Sequence, residues 1–250
     1  MNIHIPIITH INEIRLRFLY YIFSIIITSF ASYYYKEEIF YILSIPLGKN
    51  FIYTDLIEAF ITYIKLSILV GIYFSYPFFL YQLWCFLVPG LYLYEKKILR
   101  IICITSTCLF FIGGLIGYYI LFPIAFNFFL GFQKIGYEKL FTIELQAKIQ
   151  EYLLFNTKLI FSLGICFQLP VLIIFLYQIN PNIYKWLINK RRFLYIFSFI
   201  IAAILSPPDI LSQFVLATPL IFFFETSLFL IKIIQKYKKY MEVIGIEPTA

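Results

Sequence analysis

The sequence predicts an all-α, polytopic membrane protein with about six transmembrane helices. Three observations lead there. Hydrophobic residues make up 62% of the 250 and the mean hydropathy is +0.88. Charged residues are 13%, about half the roughly 25% of a soluble domain, too few to cover a water-exposed surface. Apolar runs recur at the roughly 20-residue length that a helix needs to cross a bilayer.

The runs are taken in order. The first four cover about 18–35, 60–83, 98–122 and 152–177. The fifth and sixth, 193–205 and 214–231, are short for a standard bilayer, which implies local thinning or a protein-lined cavity. Only Ser206-Pro207-Pro208-Asp209 separates them, a tight hairpin. Segments 36–59 and 131–151 mix apolar and charged residues and suit short helices on the membrane surface. Residues 1–231 read as one domain, and 232–250 as a basic, flexible tail. The stretch before Arg17 carries His4, Pro6, His10 and mixed charge, with no small-residue cleavage site, and reads as no secretory signal.

Orientation follows the basic residues. With six spans, one side collects both termini and the loops holding Arg15 and Arg17; Lys96, Lys97 and Arg100; Lys185, Lys190, Arg191 and Arg192; and Lys232, Lys236, Lys238 and Lys239. These thirteen are most of the chain's 20 Lys and Arg, so that side faces the cytoplasm or its organellar equivalent.

Cys85, Cys103, Cys108 and Cys166 lie in apolar runs without metal or redox spacing and read as small buried hydrophobes. Both histidines precede the first span, so a pair of axial haem ligands is missing. No Gly-rich run ends in Gly-Lys-Ser/Thr, so no nucleotide loop is expected. No cofactor, metal site, catalytic residue or nucleic-acid partner is expected, and the lipid bilayer is the surrounding medium.

Polar groups that could do work are therefore few. Glu13 and Arg17 are four apart and pair on a helix; alternatively Glu13 is left for a cationic partner. Glu95 follows Pro89-Gly90, whose order fits a type II turn. It is either a solvated charge beside Lys96 and Lys97 or a carboxylate awaiting a guanidinium, which it would hold bidentately as it could not hold a lysine. Glu58 and Lys65 share one helix face two turns apart, too far to pair. Gln168 sits two residues before Pro170 at membrane depth, where a polar side chain faces protein or water. Its role is either an interhelical hydrogen bond repairing the proline kink or contact with a partner helix. Glu225 allows a similar pair of readings.

These segments together resemble the TatC family, the large polytopic subunit of the twin-arginine translocase. The carriers are Thr9-His10-Ile11-Asn12-Glu13-Ile14-Arg15-Leu16-Arg17; Phe51-Ile52-Tyr53-Thr54 with Glu58-Ala59-Phe60; Ile64-Lys65-Leu66-Ser67; Leu80-Tyr81-Gln82-Leu83-Trp84; Pro89-Gly90-Leu91-Tyr92 with Glu95-Lys96-Lys97; and Ser206-Pro207-Pro208-Asp209 with Ser212-Gln213. The likeness is collinear from about residue 8 to 231. It implies a receptor for twin-arginine signal peptides of folded cargo, with Glu13 and Glu95 as carboxylates and Arg15 as the neighbouring base. It implies transport driven by the proton motive force, TatA- or TatB-type single-span partners and a homo-oligomer. It implies that the six spans form a curved, cup-like wall shaped by Pro46, Pro77 and Pro89, with Pro207-Pro208-Asp209 as the outer hairpin. Family members often carry Glu where this chain has Gln168, which retains hydrogen bonding and loses charge. Composition and the missing presequence resemble mitochondrion-encoded members, where a Rieske iron–sulfur protein is the implied cargo; plastid thylakoid or bacterial inner membrane is the alternative. Arg191-Arg192-Phe193-Leu194 is internal and lies where topology demands charge, so it is not itself an export signal.

The competing reading is a secondary transporter or proton-channel subunit. It requires ionisable residues spaced through the membrane as a relay, whereas Lys65, Lys158, Gln168 and Glu225 are few and mostly near span ends. An insertase-type factor would want a positively charged groove, against which the inner-loop acids speak.

Overall fold

The computed structural model describes residues 7–45, 51–52, 57–90, 93–131, 148–205 and 210–243. These are almost wholly helical: α1 Ile7–Tyr34, α2 Lys36–Ser44, α3 Glu58–Leu87, α4 Leu93–Ile116, α5 Phe122–Gly131, α6 Ile149–Cys166, α7 Gln168–Ile179, α8 Asn182–Asn189, α9 Arg191–Leu205 and α10 Ile210–Val243. Among the described residues the extended structure is one isolated bridge, Ile52 to Lys148. Among the described residues, five stretches are long and apolar enough to cross a membrane: Ile11–Tyr34, Glu58–Gly90, Lys96–Asn127, Ile149–Ile179 and Leu216–Lys236. The expected fifth span is α9, whose 15 residues reach only about 22 Å, short of a hydrocarbon core of about 30 Å.

Several boundaries differ from expectation for local reasons. The third span is not one regular helix. α4 passes through a π-helical turn, Gly117–Leu121, into α5, with Phe122 N–H donating five residues back to Gly117 O. The bulge sits just before Pro123, which has no N–H to continue the ladder. The fourth span breaks at Phe167 between α6 and α7, three residues before Pro170, whose ring clashes with a regular preceding turn. The sixth runs on past 231: α10 is a 34-residue helix ending at Val243. The basic segment from Lys232 to Lys239 is thus part of this helix. Lys is a good helix former. Residues 244–250 lie outside the described residues.

The packing divides into two units. The first holds α1, α2, α3, α4 up to Thr107 and α6 up to Thr157. Its main seam is α1 against α3. Ser67, Gly71 and Ser75 of α3 are buried at four-residue spacing, a small-residue stripe that lets two backbones approach. Thr28 Oγ1 donates to Gly71 O at 2.9 Å, and a Cβ on Gly71 would stand 2.8 Å from both Cα and N of Ser29. Lipid-facing positions of α1 are large and apolar, such as Phe23, Ile27 and Phe30, all exposed. α2 follows after one turn residue, with Glu37 and Glu38 favourably placed in its first turn. It is tied to α6 by two hydrogen bonds onto one acceptor: Tyr152 Oη and Asn156 Nδ2 donate to Leu43 O at 3.0 and 3.2 Å. The expectation of a short helix in the segment after the first span is met by α2; the other such segment lies mostly outside the described residues.

The second unit begins at Cys108 and Lys158. Gly113 and Gly117 of α4 and its continuation meet the backbone of α6 around Leu163 and Ile160, and Gly164 meets the ring of Phe110. A second apolar cluster, Ile173, Leu187, Phe224, Leu228 and Ile231, joins α7, α8 and α10. α9 and α10 form a hairpin in which Gln213 Nε2 donates to Phe199 O at 3.1 Å. Cys166 is buried as expected, whereas Cys108 is exposed.

Candidate functional site

Glu13 lies on the second turn of α1, a position that a helix without Pro or Gly keeps rigid. Arg17 is one turn further on. Its Nη2 and Nε donate to Glu13 Oε1 at 2.5 and 3.1 Å. The same Nη2 donates to Cys85 O at 3.1 Å. Arg17 therefore does two jobs: it engages one oxygen of the Glu13 carboxylate and pins the start of α1 to the end of α3. Among the described residues no partner is recorded for Glu13 Oε2. Both side chains are about one-quarter to one-third exposed, at 24% and 35% for Arg17 and Glu13, so the pair is accessible from outside. The i,i+4 pairing expected from spacing is formed; the alternative, a Glu13 left wholly free, is not what the resting chain contains. Arg15 is exposed and makes no ion pair among the described residues.

Past Cys85 the chain leaves α3 through a 3-10 turn, Val88–Gly90. The type II turn expected from Pro89-Gly90 does not form. Val88 keeps helical backbone angles and its N–H still bonds Trp84 O. Gly90 lacks the positive φ that a type II turn needs, and nothing lies within 4 Å of where its Cβ would be. The fixed φ of Pro89 suits a tightening helix equally well. α4 begins at Leu93, which puts Glu95 in its first turn, where the helix dipole favours a carboxylate. The Glu95 side chain lies outside the described part.

The other sequence candidates fall elsewhere. Glu58 opens α3 and Lys65 is exposed on its second turn, at the opposite end of that helix from Cys85. Gln168 is the first residue of α7, half-buried at the break before Pro170. Pro46, Pro207, Pro208 and Asp209 lie outside the described residues. Glu225 has partners that spacing could not reveal. Arg191 donates to its Oε2 and Tyr195 Oη to its Oε1. The Glu225 carboxylate, as hydrogen-bond acceptor, raises the pKa of the Arg191 guanidinium above its ordinary value. Two residues expected to act separately, one as topological charge, are thus one cluster. No group of three or more His, Cys, Asp and Glu with metal-holding geometry occurs among the described residues.

Fold and site together define a class: a multi-pass α-helical membrane protein in which Arg17 ties the Glu13 carboxylate of α1 to the end of α3. The comparisons narrow the class to a family. The family model for the Sec-independent protein translocase protein (TatC) matches residues 9–219. A tatC-like protein of Reclinomonas americana is 71% identical over 250 residues, covering 100% of this chain and 96% of that protein. The Sec-independent protein translocase protein TatC of Rickettsia prowazekii is 41% identical over 233 residues, with 90% and 92% covered. The crystal structure of a twin-arginine translocase receptor, TatC, superposes with a TM-score of 0.77 at 31% identity, covering 90% of this chain and 98% of that one. The chain belongs to the TatC family.

Proposed function

We propose that this protein is the signal-peptide receptor and core subunit of a Sec-independent translocase that moves folded proteins across a membrane. Family membership supports the class of activity. The observation that carries the site is the Arg17 bridge, which sets the Glu13 carboxylate beside the Cys85 carbonyl at the end of α3, one short turn before the helix that opens on Glu95.

The chemistry is recognition rather than bond-making. Two carboxylates on adjoining helix ends suit two guanidiniums in succession. A carboxylate has about four acceptor sites, so Glu13, with one oxygen on Arg17, can still accept a guanidinium on the other. Arginine matches this with a planar fork of donors, while lysine offers a point charge, so the pair discriminates twin-arginine from twin-lysine signals. Exposed Arg15 lies two residues from Glu13 and keeps the local field from attracting every cation alike. The apolar part of the signal would lie on the span surfaces beyond. By resemblance to the family, the energy for transport comes from the proton motive force. TatA- and TatB-type single-span subunits and further copies of this chain complete the machine. By resemblance to mitochondrion-encoded members of the family, the membrane is a mitochondrial inner membrane and a Rieske-type protein is among the folded cargo. Gln168 at the α6–α7 break supplies a hydrogen-bonding contact to a partner helix in place of a charged one.

The test is equilibrium binding of a fluorescent twin-arginine signal peptide to the purified chain. A hydrogen bond to a charged group contributes about 1.5–3 kcal/mol, so Glu95→Ala or Glu13→Ala should each weaken binding by roughly 10- to 150-fold. Twin-lysine peptide should bind the parent chain about as weakly as twin-arginine peptide binds the variants. Equal affinity for both peptides would contradict the assignment.

A further inference from the structure

Within the first unit, α3 and α4 flank an open cavity of about 300 Å³. Pro77, Leu80 and Trp84 line it from α3, and Arg100, Ile104 and Thr107 from α4. The helices are antiparallel across the Val88–Gly90 turn, so Trp84 and Arg100 stand at the basic-side end and Pro77 and Thr107 at the deep end. Tyr76 Oη lies 3.5 Å from Ser106 Oγ at the deep level. Seven residues of helix make the cavity about 10 Å long. Pro77 contributes to it by removing one rung of the α3 ladder.

Its two ends differ in chemistry. Towards the deep end the lining is Pro77, Leu80 and Ile104, with the Thr107 hydroxyl bonded to Cys103 O. At the other, the Arg100 guanidinium lies 5.7 Å from the centroid of the Trp84 ring and is exposed. It lies in the first turns of the apolar stretch Lys96–Asn127. A charge inside a span is costly unless paired, yet among the described residues Arg100 has no ion pair. Glu95 is five residues earlier on the same helix, about 140° around its axis, and the Glu13 carboxylate is bonded to Arg17 and not to Arg100. The Trp84 Nε1–H is buried and without an acceptor among the described residues, so Trp84 offers the cavity its ring. A cation over an indole ring beside an apolar slot, on the leaflet to which Lys96 and Lys97 assign this end, fits one ligand class. A basic signal peptide is the wrong sign for Arg100.

We infer that this cavity is a binding site for an anionic phospholipid of the cytoplasm- or matrix-facing leaflet. The phosphate sits on Arg100 beside Trp84, and the upper part of an acyl chain lies along Leu80 and Ile104 towards Pro77 and Thr107. Basic pockets between spans on that side hold lipid headgroups by this combination. The bound lipid fills the gap between α3 and α4 next to the turn that positions Glu95, without supplying any group to signal recognition.

Native mass spectrometry of the full chain, titrated with phosphatidylglycerol and with phosphatidylcholine, tests the site. The parent chain should prefer phosphatidylglycerol by about fivefold, the equivalent of the roughly 1 kcal/mol that one cation contributes against an anionic surface. Arg100→Gln should remove the preference, Arg100→Lys should keep part of it, and Lys97→Gln, outside the cavity, should leave it intact. A photoreactive residue at position 104 should then label lipid in phosphatidylglycerol vesicles. Equal binding of both lipids by the parent chain, a preference that survives Arg100→Gln, or labelling of a signal peptide or second copy instead of lipid would each overturn the inference. Twin-arginine peptide binding to Arg100→Gln, measured alongside, should match the parent chain, which separates this site from the receptor site.

Discussion

Gly71→Ala probes the α1–α3 seam on which the receptor geometry rests. Two effects oppose each other. Alanine is the better helix former by about 0.8–1 kcal/mol. Against that, the new Cβ would stand 2.3 Å from Ser29 Oγ and 2.8 Å from both Ser29 Cα and Ser29 N. The hydroxyl can rotate away; the backbone cannot. Overpacking of this kind costs about 1–3 kcal/mol. Loss of the Thr28 to Gly71 O hydrogen bond, 2.9 Å in the parent, adds about 0.6 kcal/mol by the average for membrane interiors. The net is a destabilisation of roughly 1–3 kcal/mol, so the clash wins. For a chain of this size that lowers the unfolding midpoint in detergent by roughly 2–12 °C. The diagnostic partner is Ser29→Ala, which removes only the movable atom. It should not rescue Gly71→Ala, since two backbone atoms remain too close. A Gly71→Ala protein as stable as the parent, or full rescue by Ser29→Ala, would refute the reasoning.

Three further outcomes are expected. Gly113→Ala should destabilise the second unit more than Gly164→Ala, because its Cβ would meet Leu163 O, a backbone atom, at 2.9 Å, while Gly164 meets only the Phe110 ring; thermal unfolding of the two variants ranks them. Tyr152→Phe and Asn156→Leu should each cost about 1 kcal/mol, but the double variant more than their sum, since Leu43 O keeps one donor in each single variant and loses both in the double; a double-mutant cycle in denaturant reads the excess. Gly90→Ala should fall within about ±0.5 kcal/mol of the parent, as a surface change does, because no positive φ and no neighbour require glycine there; a larger loss in the same assay would restore the type II turn.

What could be read from sequence was what depends on composition and local spacing. The apolar runs located the spans to within several residues, and the i,i+4 spacing of Glu13 and Arg17 anticipated their pair. Pro170 marked where the fourth span breaks. Contacts between distant positions were not legible. Arg17 reaches Cys85 O, a backbone acceptor that any residue would provide, so no side-chain pattern announces it. Leu43 O, which receives Tyr152 and Asn156, is hidden for the same reason. Arg191 and Glu225 are 34 residues apart, and only the α9–α10 hairpin brings them together. At Pro89-Gly90, dipeptide preference pointed to a type II turn, but α3 simply tightened into a 3-10 turn, a conformation those residues equally allow. The π-turn at Gly117–Leu121 absorbs the register change before Pro123, and a proline alone does not say whether a helix will kink, stop or bulge.

The central claim is that the first turn of α4 reads paired arginines. The most direct measurement places a photocrosslinking residue at position 94, beside Glu95, and presents a twin-arginine signal peptide and its twin-lysine counterpart to the chain in membranes. Crosslinking to the arginine form alone, abolished by Glu95→Ala, is the predicted result. Equal labelling of both peptides, or labelling that persists in Glu95→Ala, would contradict it.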